Sequence, residues 1–183
     1  MKFKNNSIIL FLIVFFGACA TQENYLIKNI NFDGYKSLNI DSSSLIIDQK
    51  YNINITHPFI DHLVKQNLIL LLSSWAEARL QPLEVNNPGA LKVIINTASI
   101  KALPIRQNAK IEDLFISNAA VNIEMNLDIT IELLNENGNQ ISYVDVKIFK
   151  SKELADNISL LEKDYIIQEM SKALMKDFDS LVI

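Results

Sequence analysis

The stretch Val121-Asn122-Ile123-Glu124-Met125-Asn126-Leu127-Asp128-Ile129-Thr130-Ile131-Glu132-Leu133 alternates apolar and polar residues without a miss. A period of two places successive side chains on opposite faces of a strand. The odd positions therefore face a core and the even positions face water, so the sheet that holds this strand is covered on one side only. The remaining elements have to be arranged on that single covered face.

The residues that follow read as the continuation of a meander. Asn137-Gly138 predicts a hairpin turn in which both residues accept positive φ, and Gln140 to Lys150 reads as the return strand. The apolar set of that strand changes phase between Tyr143 and Val144, which predicts a bulge there. From about Lys152 to Leu181 the period becomes helical. Leu160, Lys163, Ile167, Met170, Leu174, Phe178 and Leu181 share one side, and the stem of Lys163 can lie along apolar surface.

Upstream, the turn Asn86-Asn87-Pro88-Gly89 precedes a strand from Leu91 to Leu103. Before it, Pro58 predicts the first turn of a long helix that runs to about Leu80 and is stopped by Pro82. Ile60, Val64, Leu68, Leu71 and Trp75 form its apolar stripe, and Ile69, Leu70 and Leu80 fall outside it. Leu45 to Tyr51 is short, rich in branched side chains and reads as the first strand. The order strand, helix, strand, strand, strand, helix predicts a two-layer α+β sandwich. It has a four-stranded mixed sheet with both helices on one face, as a single domain over residues 43–183. Residues 19–42 are polar and irregular and read as a tether.

Composition narrows the function classes. The chain has 183 residues, a formal charge of −4 and a pI near 5.2, which excludes the basic footprint of a duplex nucleic-acid binder. One Cys and two His exclude a disulfide framework and a Cys-rich zinc site. No Gly-rich phosphate loop, dinucleotide fingerprint or nucleophile elbow is present. His57 and His62 flank the expected helix start without metal-ligand spacing, and Glu124, Asp128 and Glu132 form a solvated row about 7 Å apart. No catalytic residue, metal ligand or cofactor is expected, and the chain does not read as an enzyme.

The N-terminus carries an address. Lys2 and Lys4 precede nine apolar residues, Ile8 to Phe16, and then Gly17, Ala18 and the single Cys, Cys19. Nine residues are too few for a bilayer core that takes roughly 20, so residues 1–18 read as a signal peptide. Its removal takes two lysines and leaves 15 basic against 21 acidic residues, a formal −6. Attachment by charge is therefore excluded, and attachment by two or more acyl chains would be stable.

Phe16-Gly17-Ala18-Cys19 resembles the lipobox of bacterial lipoproteins, with Phe16 where Leu is usual. That resemblance implies diacylglycerol on the Cys19 thiol, palmitate-type acylation, and a mature chain that begins at Cys19. Ala20, in place of Asp, implies export to the outer membrane, with the domain facing the periplasm. Pro58, His62, Trp75, Arg79-Leu80, the strand Leu91 to Ile95 and Leu114-Phe115 resemble small uncharacterised outer-membrane lipoproteins of Gram-negative bacteria. The layout is also similar to the lipopolysaccharide-assembly lipoprotein and to auxiliary lipoproteins of ABC transporters. The implied function is binding, to a membrane-protein partner or to lipid, in envelope assembly or transport. The competing class is an envelope hydrolase with no recognisable motif.

Two apolar features exceed what a plain surface needs and are the expected partner-binding residues. One is the long loop 104–118 with Ile111, Leu114, Phe115 and Ile116, and the other is the pair Ile69 and Leu70 on the first helix.

Overall fold

The structure is a computed structural model that describes residues 25–105, 120–156 and 158–183. The leader, Cys19 and the loop residues Ile111, Leu114, Phe115 and Ile116 lie outside the described residues. The elements are β1 (Leu38–Ile40), β2 (Ser44–Gln49), a 3₁₀ turn (Asp61–Leu63), α1 (Leu68–Arg79), β3 (Leu80–Pro82), β4 (Ala90–Pro104), β5 (Val121–Leu134), β6 (Gln140–Leu154) and α2 (Leu160–Val182).

The main sheet has the order β2-β4-β5-β6, with β2 parallel to β4 and the other two pairs antiparallel. This is the mixed four-stranded α+β sheet expected from the sequence. Val121, Ile123, Met125, Leu127, Ile129 and Ile131 are all buried, as their period of two requires. Both helices lie on that face, because their buried side chains join these residues in one core. Trp75 of α1 meets Phe178 of α2 edge to face, with ring centroids 4.7 Å apart.

Two bulges set which residues reach the core. In β4 the register shifts between Ile95 and Thr97, so Leu91, Val93 and Ile95 point inward before it and Ala98, Ile100 and Ala102 after it. In β6 the extra residue is Ile141, since Leu133 faces Ser142 and Leu134 faces Gln140. The bulge thus lies closer to the hairpin than the sequence predicted. The turn itself explains this: Asn135 N–H donates to Asn139 O, and Asn135 Oδ1 accepts from the N–H groups of Asn137 and Asn139. Within it Gly138 alone has positive φ, 76°, so Asn137 does not adopt the mirror-turn conformation that was expected.

The first helix is shorter than its sequence pattern predicted. Pro58 does not start it. The His57–Pro58 peptide is cis, and residues 58–60 run along β4, where Pro58 O accepts from Ala102 N–H and Ile60 N–H donates to Ile100 O. Those backbone groups are satisfied by the sheet and have no need of a helical ladder. The helix begins only where Asn67 caps it, its side chain accepting from Leu70 N–H at 3.0 Å. Helix α2 likewise begins at Leu160 behind Ser159, whose hydroxyl accepts from Glu162 N–H, and residues 152–154 belong to β6.

The expected tether is also corrected over its described part. Residues 25–42 form a strap on the domain: Phe32 is buried in the core against Tyr35, and β1 pairs in parallel with β3. Burial of one large aromatic and a backbone ladder outweigh the polar composition that made the segment read as free chain.

Candidate functional site

Buried polar groups are the natural place to look for chemistry. Asp61 is 1% exposed. Its carboxylate accepts from Ile100 N–H at 2.7 Å and from the Tyr51 hydroxyl at 3.1 Å. Burial pushes the Asp61 carboxyl above its ordinary range, against the lowering effect of those hydrogen bonds. Burial and the neighbouring carboxylate push the Tyr51 phenol up as well. Every interaction of the pair goes to the fold: it fastens the segment after Pro58 to the β4 backbone.

A second buried cluster joins the helices. Asp179 accepts from Arg79 Nε at 2.8 Å and from Trp75 Nε1 at 2.9 Å, while Arg79 stacks over Tyr35. This ties α1, α2 and the strap together. On the water-facing side of the sheet, Asp128 is paired with Lys147 and Asp48 with Lys92, both at 2.8 Å. His57 and His62 are exposed, and among the described residues no three His, Cys, Asp or Glu side chains converge on a point.

What the fold builds instead is an apolar cavity at one end of the sandwich. It measures about 140 Å³ and lies between the strap, the segment after the 3₁₀ turn and the first half of α2. Ile27, Ile30, Leu63, Val64 and Ile167 supply most of its lining surface, and Asn29, Lys65, Gln66, Asp164, Gln168 and Ser171 complete it. Partial desolvation there raises the Asp164 carboxyl above its usual range. The strap wall is fixed by a reciprocal pair, Ile30 N–H donating to Gln66 Oε1 at 2.7 Å and Gln66 Nε2 to Ile30 O at 3.1 Å. Gln168 Nε2 also donates to Lys28 O. A smaller pocket of about 30 Å³ shares Asp164 and Ile167 and reaches Ile60, Val121 and Leu154.

The sequence-predicted partner residues fare unequally. Ile69 is 7% exposed and belongs to the core, so it offers no binding surface. Leu70 is 54% exposed on α1, as expected, but does not line the cavity. Leu80, the third off-stripe residue, is also buried. The stripe missed Ile69 because α1 is buried around most of its circumference, with Leu68, Ile69, Leu71, Leu72, Trp75 and Ala76 all in the core, and it missed Leu80 because that residue begins β3. Sequence reading missed the cavity altogether. The available signal was Ile27, Ile30, Phe32 and Tyr35, apolar side chains too regular in supply for a free tether.

No family model matches the chain, and no curated protein matches it in sequence. Among solved structures, the chain is similar to a minor lipoprotein from Acinetobacter baumannii, with 10% identity over 76% of this chain and 87% of that one, at a TM-score of 0.36.

Proposed function

We propose that the chain is a lipid-anchored protein of the bacterial envelope that faces the periplasm and acts by binding. One observation carries the reading: a basic start, a short apolar run and Gly17-Ala18 lead directly to the only Cys of the chain. Its thiol has no other assignment, and a mature charge of −6 leaves lipid as the means of attachment. Ala20 favours the outer membrane as destination.

Binding is favoured over catalysis by how the buried titratable groups are used. Asp61 with Tyr51, and Asp179 with Arg79, each join segments of the fold and line neither of the two cavities described above. The partner is an envelope membrane protein or a lipid of an assembly or transport pathway, with no nucleic acid, and Ile111, Leu114, Phe115, Ile116 and Leu70 are the residues proposed to meet it. The test is the intact mass of protein extracted from membranes. It should lack residues 1–18 and carry diacylglyceryl and acyl groups on Cys19. A soluble chain of unmodified mass would contradict the proposal.

A further inference from the structure

The cavity described above lies at one end of the molecule, and three observations at that end converge. The first is room. A cavity of about 140 Å³ matches the roughly 150 Å³ space known to take a benzene-sized guest, so it holds about six carbons of an aliphatic chain. The pocket beneath Ile60 and Leu154 adjoins it and shares Ile167 and Asp164 with it.

The second observation is the rim. Leu63 lines the larger cavity and Leu160 the smaller one, yet they are 54% and 55% exposed. Leu161, next to Leu160, and Ile105, whose N–H donates to Ala120 O beside β5, are exposed as well. An exposed leucine thus borders each of the two pockets, whereas scattered single ones would need no explanation.

The third observation is where the chain leads. Tyr25 packs tilted against Tyr165, in the second turn of α2, with ring centroids 5.2 Å apart, so the strap leaves the domain at this same end. Tyr25 lies six positions after Cys19, and at about 3.5 Å per position the two are at most about 20 Å apart. The hairpin at the far end of β5 is about 45 Å from Val121, by the rise of a strand of that length. An anchor at Cys19 therefore holds the cavity end, and not the hairpin end, beside the bilayer.

We propose that this end seats one acyl chain of a phospholipid drawn from the membrane in which the protein is anchored. The chain enters past Leu63 and Leu160 and lies between the strap and α2, against Ile30, Val64 and Ile167. The proposal rests on the lipid-anchor reading. The aliphatic side chains supply most of the lining surface and suit an acyl chain, while the two charged residues on it, Lys65 and Asp164, are of opposite sign and do not select an anionic headgroup.

The test uses the full mature chain in vesicles of phosphatidylethanolamine and phosphatidylglycerol, with a trace of phosphatidylethanolamine that carries a diazirine near the end of one acyl chain. After irradiation and digestion, mass spectrometry should place the lipid on Ile27, Ile30, Val64 or Ile167. Val64→Trp fills the cavity and should reduce that labelling to the level of the unirradiated sample. Val64→Ala keeps it open and should retain labelling, with thermal melts confirming that both variants fold. Labelling that is confined to the exposed sheet residues Tyr143 and Phe149, or that is unchanged in Val64→Trp, would overturn the proposal. The two readings separate, because the mass at Cys19 reports the anchor while labelling by vesicle lipid reports the cavity, whichever way the first comes out.

Discussion

Asp61 illustrates how one residue can look catalytic and be structural. Its burial raises its carboxyl pKa in the folded state above the ordinary value, so the folded chain holds that proton more tightly than the unfolded one. Stability from this group is then highest below the unfolded pKa and falls as pH rises toward the raised folded value. Asp61→Asn keeps an acceptor for Ile100 N–H and has no charge to desolvate. In urea melts its stability relative to the parent should therefore grow between pH 4 and pH 7, and a difference independent of pH would contradict the assignment. Asp61→Ala instead leaves Ile100 N–H without its acceptor and should cost about 1–3 kcal/mol. The alternating strand is the residue-scale feature most legible in the sequence, because one-sided burial leaves a strict period. Ile129→Ala should cost about 2–5 kcal/mol, as a large-to-small core change. Thr130→Ala should cost no more than about 1 kcal/mol, since Thr130 lies on the wet face and its hydrogen bonds run to Asn96 and Asp145. Equal losses would place the strand in the wrong register.

Elements were legible where a regular apolar period follows their burial. Strands β4 to β6 and helix α2 came through with shifted ends, while the residues from Pro58 to Gln66 imitate helical spacing and yet residues 58–60 spend backbone groups on β4. No pattern of apolar residues reveals such a long-range partner, and the same holds for Asp179, which accepts from residues of α1 about 100 positions earlier. Asp179→Ala strands a nearly buried guanidinium and an indole N–H, and should cost about 3 kcal/mol. Replacing Arg79 by Met in the same chain should recover part of that loss, a coupling that a double-mutant cycle in urea would measure. The strap is the clearest misreading. A free tether would make Phe32→Ala silent, whereas a buried Phe32 makes it cost about 3–5 kcal/mol. A thermal melt unchanged by Phe32→Ala would restore the tether.

At the scale of the molecule, composition and order of elements were enough for the α+β sandwich, since one covered sheet face leaves few places for two helices. The cavity was not legible, because its walls come from the strap, the segment after the 3₁₀ turn and α2, which are far apart in sequence. The proposed address rests on the leader alone, and the proposed function depends on it. Metabolic labelling with an alkyne-bearing palmitate, followed by gel analysis of the parent and of Cys19→Ala, tests it most directly. The parent should carry the label and migrate as the processed chain, and Cys19→Ala should be unlabelled and retain residues 1–18. A label that persists in Cys19→Ala, or a parent chain that never acquires one, would contradict lipid anchoring.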